Sequence, residues 1–192
     1  AERGHPDLVV ANNVLAHVPD LNGFVAGLAT LLGTPGIATI EVPHLVKLVE
    51  GLQFDTIYHE HYSYFSLHTL VRLFEAHDLQ VFDVEELASH GGSLRLFVRH
   101  PAGEPEPAVA ALLERERASG YHAIDAYEGF DDRVAEVKRR LLELLIALRD
   151  RGKQIVGYGA PGKGNTLLNY CGIRSDFLVY TVDANPGKHG KF

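Results

Sequence analysis

Apolar and polar positions along the first hundred residues alternate in blocks that predict strands and helices in turn. Asp7-Leu8-Val9-Val10-Ala11 is a short apolar run, the pattern of a strand buried in a parallel sheet. Asn12, Asn13 and then His17 follow at its carboxyl side, where polar residues commonly line an α/β cleft. Phe24, Leu28, Leu31 and Leu32 carry helical spacing over residues 21–32, with Asp20 as the N-cap and Gly33 as the stop. Residues 36–42 read as a second strand with Glu41 near its end. Residues 66–77 read as a further helix through Leu67, Leu70, Val71 and Phe74. Residues 79–84 and 93–99 read as two strands joined by the Ser89-His90-Gly91-Gly92 turn. The order strand, helix, strand, helix, strand pair is that of an α/β protein: the second half of a doubly wound sheet ending in an antiparallel hairpin.

A change of pattern follows. Pro101-Ala-Gly-Glu-Pro-Glu-Pro107 has three prolines and no large apolar residue, which predicts a linker and a domain boundary near residue 100. Residues 108–119 are charged and amphipathic. Residues 131–151 place Val134, Val137, Leu141, Leu144, Leu145 and Leu148 on one broad apolar stripe, with Arg149 and Arg151 at the negative helix end and Gly152 as its cap. A strand then runs into Gly157-Tyr158-Gly159-Ala160-Pro161-Gly162-Lys163-Gly164. Gly157, Gly159 and Gly162 form a G-x-G-x-x-G directly after a predicted strand, a context suited to a phosphate or a dinucleotide-like ligand. Gly157 to Lys163 also fits the opening of a P-loop, but Gly164 stands where Ser or Thr would hold magnesium. A last strand over 177–182 ends in Asp183, 26 residues after Gly157, somewhat beyond the usual spacing for a ribose-holding acid.

Composition narrows the function. With 192 residues and 46% hydrophobic content the chain can bury a real core. A net charge of -7 argues against a nucleic-acid or anionic-membrane surface. No run approaches the roughly 18 apolar residues of a membrane span, and the opening Ala-Glu-Arg-Gly-His-Pro-Asp lacks the apolar core of a signal peptide, so a cytoplasmic protein is expected. The single Cys171 allows no internal disulfide and no Cys-rich zinc site, and reads as a small buried residue.

The densest chemistry lies in Tyr58-His59-Glu60-His61, just before Tyr62-Ser63-Tyr64-Phe65. An imidazole titrating near pH ~6.5 beside a carboxylate can act as a general base near neutrality. If the segment is extended, His59 faces away from Tyr58 and Glu60.

Taken in order, Asn12 to Pro19, Glu41-Val42-Pro43, Tyr58 to Ser66, His90-Gly91-Gly92-Ser93-Leu94-Arg95 and Gly157 to Tyr170 resemble the sugar C-methyltransferases of deoxysugar biosynthesis over nearly the whole chain. The resemblance implies an S-adenosylmethionine-dependent enzyme that methylates a ring carbon beside a keto group on a nucleotide-linked hexose. It also implies three domains: a zinc-binding N-terminal one, a Rossmann-like methyl-donor one, and a Rossmann-like C-terminal one that helps hold the nucleotide sugar. Residues 1–100 would be the second half of the donor domain, and residues 101–192 the linker, helices and first part of the C-terminal domain. The zinc cysteines and the Gly-rich donor loop have no counterpart here, so the chain reads as a fragment that would be inactive alone, with zinc confined to the missing domain.

On the family analogy His61 is the leading base and Glu60 orients the substrate or an imidazole, while Tyr58 and His17 donate to the ketone or enolate oxygen. Asn12 and Asn13 fall to the cofactor. Gly157, Gly159, Gly162, Lys163, Asn165 and Asp183 fall to the nucleotide-diphosphate sugar. Three rival readings stay open: a nicotinamide-dependent oxidoreductase using the Gly157 loop and Asp183, a non-catalytic nucleotide-binding module, and a zinc hydrolase recruiting His17, His59, Glu60 and His61. The last is disfavoured because His-x-His is not a helical i, i+4 ligand pair.

Overall fold

The computed structural model describes residues 4–190, so Ala1, Glu2 and Arg3 of the opening segment, together with Lys191 and Phe192, lie outside the described residues. The chain divides into two compact units, one made of Ala1–Gly51 and His59–Glu128, the other of Leu52–Tyr58 and Gly129–Phe192.

The first unit runs β1 (Leu8–Asn12), α1 (Leu21–Leu31), β2 (Ile37–Pro43), α2 (Leu45–Glu50), α3 (Leu67–Glu75), β3 (Gln80–Leu87), β4 (Ser93–Arg99) and α4 (Pro107–Ala118). Its sheet has the order β1-β2-β4-β3. β1 and β2 are parallel, with Asn12 opposite Glu41, and β4 lies antiparallel between β2 and β3. The predicted hairpin therefore turns back into the sheet. Ala38, Ile40 and Val42 of β2 and Leu94, Leu96 and Val98 of β4 are fully buried, as period-2 alternation requires of a packed face.

Helix α3 buries Leu67, Leu70 and Phe74 at helical spacing, and its N-cap Ser66 accepts from the Thr69 amide. Asp20 caps α1 as expected, accepting from the Gly23 amide. The stop differs: Leu32, not Gly33, ends α1 in an extended conformation, because Leu32 turns inward and is only 2% exposed. β3 runs three residues further than the apolar pattern suggests, since Glu85, Glu86 and Leu87 pair with Arg95, Leu94 and Ser93. The proline-rich stretch is followed by α4, which packs on β3 and α3, and the break between the compact units falls after Glu128.

The second unit holds α5 (Phe130–Asp150), β5 (Ile155–Tyr158), α6 (Gly162–Cys171) and β6 (Leu178–Val182), with β5 and β6 parallel. Leu145, Cys171 and Ile173 form its core, with Leu141, Leu142, Ile155 and Leu178 packed on it. The α5 stripe is shifted from the expected one, for Leu144 is 56% exposed and Leu142 packs on the core. Phe54, in the short turn Phe54–Thr56, stacks at 4.9 Å on Tyr170 of α6 and draws Leu52–Tyr58 into this unit. Among the described residues no helix is long and apolar enough to cross a membrane.

Candidate active site

Two imidazoles far apart in sequence meet at the carboxyl edge of β1. After Asn12 the chain turns through Asn13, whose φ of 54° lies in the left-handed region that Asn tolerates, and the Asn13 amide donates to the Glu41 carbonyl at 2.8 Å. A single 3-10 turn, Leu15–His17, follows, and it is fixed because Leu15 and Ala16 are buried. The Ala16 carbonyl accepts from the amides of Tyr62 at 2.8 Å and Ser63 at 3.4 Å. This clamp places the His17 ring 4.8 Å from the His61 ring, edge to face, and Tyr64 6.1 Å from His61 on a second side.

His17 Nδ1 lies 3.0 Å from the Glu60 carbonyl oxygen. A carbonyl only accepts, so Nδ1 carries the proton and Nε2 is the free face of His17. Glu60 contributes its backbone to this contact. Its carboxylate is exposed and stands 4.0 Å from the still more exposed His59 ring, a surface pair of little energetic consequence. Tyr58 closes the segment Leu52–Tyr58 of the second unit, whereas His59, Glu60 and His61 belong to the first. Residues 58–60 form a bend and turn, so the alternation of faces expected of an extended segment does not apply.

Beside the imidazoles a polar network was only half visible in the sequence. Glu41, 6% exposed, accepts from Ser89 Oγ at 2.8 Å and from Arg95 at 3.2 Å, and Arg95 also reaches Glu85 at 3.4 Å. These pairs follow from register, since Arg95 stands opposite both Glu41 and Glu85. Asn13 Oδ1 is buried and has no hydrogen-bond partner among the described residues.

A second buried polar group went unnoticed. Glu116 of α4 and His44, both 3% exposed, meet at 2.8 Å. Glu116 shares a helix face with Val109 and Leu112, which are buried, and a charge on an apolar stripe was the available signal. Burial opposes its charge, but bonds from His44 and from the amides of His68 and Leu67 outweigh it and hold the carboxyl below its ordinary value.

In the second unit the glycine loop is built from backbone. Gly157 is the third residue of β5, and a Cβ there would lie 2.5 Å from Thr181 Cγ2 on β6, so its smallness serves strand packing. Gly159, at φ 88°, makes the turn, and its amide donates to the Val182 carbonyl at 2.7 Å. Gly162 and Lys163 open α6. Asp183 turns back on the loop: one carboxylate oxygen accepts from the Ala160 amide at 2.8 Å and from Lys188 Nζ at 3.0 Å, the other from the Asn185 amide at 2.8 Å. The amides of Asn185 and Ala160, and then Lys188, hold this carboxyl well below the usual carboxylate range. A cavity of about 700 Å³ opens beside the loop, lined by Ala160, Asn165, Asp183, Lys188 and His189 among others. Among the described residues no group of three or more His, Cys, Asp or Glu could hold a metal ion.

Residues 88–192 match the C-methyltransferase C-terminal domain, and residues 1–84 match a methyltransferase domain. The chain belongs to the C-methyltransferase family defined by that C-terminal domain. It is 41% identical over 186 residues to C-methyltransferase NovU of Streptomyces niveus, which covers 96% of this chain and 44% of NovU. The chain thus spans less than half the length of that relative. Among solved structures it is similar to the magnesium protoporphyrin IX methyltransferase of Synechocystis PCC 6803 with bound SAH, at 13% identity and a TM-score of 0.41, covering 51% of this chain and 46% of the other.

Proposed function

We propose that this chain forms part of an enzyme that transfers a methyl group from S-adenosylmethionine to a ring carbon beside the keto group of a nucleotide-linked deoxyhexose. The observation that carries the reading is the His17–His61 pair, two imidazoles 4.8 Å apart at the carboxyl edge of β1 in a member of a C-methyltransferase family. Carbon methylation beside a carbonyl needs a base for the α-proton and a donor for the developing enolate oxygen.

His61 is the base: a ring nitrogen takes the α-proton, and the C–H electron pair moves into the enolate. His17 has its Nδ1 proton committed to the Glu60 carbonyl, which leaves Nε2 facing the enolate oxygen; it donates there when the ring carries a proton on both nitrogens. Glu60 is assigned the orientation of His17 through its carbonyl. S-adenosylmethionine, when bound, would supply an electrophilic methyl, the new C–C bond forming as the sulfonium S–CH3 bond breaks and S-adenosylhomocysteine leaves. Asn12 and Asn13 are assigned to that ligand, and Asn13 Oδ1, which has no hydrogen-bond partner among the described residues, can accept from its donor groups. In the second unit, the amides around Gly159 and Gly162 with Lys163 and Asn165 are assigned the diphosphate of the nucleotide sugar. Asp183 fixes the loop through the Ala160 and Asn185 amides.

The test is His61→Asn in an intact polypeptide carrying this sequence. Turnover is expected to fall by about 10²- to 10⁴-fold while the nucleotide sugar still binds by calorimetry. Turnover equal to that of the unaltered protein would refute the assignment.

A further inference from the structure

The segment 59–66, which carries His61 and Tyr64, has no regular secondary structure before α3, apart from one isolated bridge at Phe65. Its first anchor is the Ala16 carbonyl already described. Its second anchor is at the far end. The Phe65 carbonyl accepts from the Leu45 amide at 2.8 Å, His44 and Phe65 form the isolated bridge, and the His44 amide donates to the Gly92 carbonyl at 3.0 Å. Beside that bridge lies the Glu116 carboxylate. It accepts from His44 Nε2 at 2.8 Å, from the Leu67 amide at 2.7 Å and from the His68 amide at 2.9 Å.

Ser66 already caps the Thr69 amide, so Glu116 serves the two amides that a serine cap leaves open at the start of α3. A carboxylate at a helix N-terminus is also favoured by the helix dipole. Those gains could come from water or from an exposed acid on α3 itself. What Glu116 adds is a tie between three elements: the residue before α2, the first turn of α3, and α4, 49 residues downstream of Leu67. A buried carboxylate with three donors tolerates little displacement, because any lost bond leaves a charge unsatisfied.

We infer that Glu116, acting through His44 and the first two amides of α3, is a positioning residue that fixes the reach of His61 toward His17. The turnover arm of its test rests on the function proposed above, and the spectroscopic arm does not. Near-attack geometry is sensitive to such supports: a shift of about 1 Å at the reacting group can cost about a hundredfold in rate.

The experiment uses an intact polypeptide carrying this sequence with ring-labelled histidine, its His17 and His61 signals assigned by single substitution. Glu116→Gln places an amide NH2 or a weaker acceptor against donors that need a carboxylate. His44→Phe removes one donor and leaves the α3 amides bonded. Both variants are expected to shift the His17 and His61 ring signals. Glu116→Gln is expected to lower kcat about tenfold to a hundredfold with KM for S-adenosylmethionine unchanged within about twofold. The proposal is overturned if either folded variant moves the Leu67 and His68 amide signals yet leaves the His17 and His61 rings and kcat unchanged. If the unaltered polypeptide transfers no methyl but the ring signals still move on substitution, the functional reading fails and the positioning role stands.

Discussion

The two units hold their candidate sites by opposite means. In the first, side chains from distant parts of the chain converge on the carboxyl edge of β1: His17 and His61 meet across 44 residues, buried Glu41 holds Ser89 and Arg95, and buried Glu116 braces the backbone at the start of α3. In the second, almost everything lies within one strand-turn-helix, and the groups presented are backbone amides held by a single clasp, Asp183. Proton transfer needs particular side chains at fixed distances, so it needs a rigid core behind them. Holding a diphosphate needs donors in a tight turn, which glycine and one acid can supply at the surface. Substitutions should therefore fail differently in the two places.

The largest effect is expected at the imidazoles. His61→Asn should lower the methyl-transfer rate by about 10²- to 10⁴-fold, the usual contribution of a positioned general base, with the nucleotide sugar KM nearly unchanged. Next comes the core that holds them. Phe74 is fully buried, and Phe74→Ala should cost about 3 to 5 kcal/mol in denaturant unfolding followed by first-unit amides. In the second unit, Gly157→Ala should cost about 1 to 3 kcal/mol, because the added methyl must displace Thr181. A change below a few tenths of a kcal/mol would mean that β5 and β6 adjust freely. Asp183→Asn should weaken nucleotide-sugar binding about tenfold in a titration while leaving kcat in place, the scale of one lost charge-assisted bond. A loss in kcat instead would merge the two regions into one functional unit.

The smallest effect is in pH. The Asp183 carboxyl is lowered in the folded state, so its contribution is full above the ordinary carboxylate value of about 3.9. It declines only as the pH falls below that value toward the folded one. The amide signals of Ala160 and Asn185 should therefore hold steady from pH 7 to about 4.5. Movement within that range would show that the clasp is not ionised as described.

The same contrast explains what the sequence disclosed. Local patterns were readable: the Ser93–Arg99 strand, the cap Asp20, and the glycine loop all depend on neighbours a few residues apart. Non-local features were not. That β4 inserts beside β2, that Glu116 reaches α3, and that Leu52–Tyr58 packs with the second unit all depend on tertiary contacts with no local signature. Gly157 shows the limit of motif reading, since the first glycine of the G-x-G-x-x-G lies within a strand and is small for Thr181's sake. Asp183 was assigned to the nucleotide sugar by resemblance, its spacing from Gly157 being longer than usual; its hydrogen bonds run to the Ala160 and Asn185 amides and Lys188.

The central claim is that His61 removes the proton beside the keto group. In D2O, with the nucleotide-linked keto-deoxyhexose and S-adenosylhomocysteine in place of the methyl donor, proton removal appears as deuterium uptake at the ring carbon without methylation. The unaltered polypeptide should exchange that position and His61→Asn should not. Exchange at the same rate in both would contradict the role given to His61.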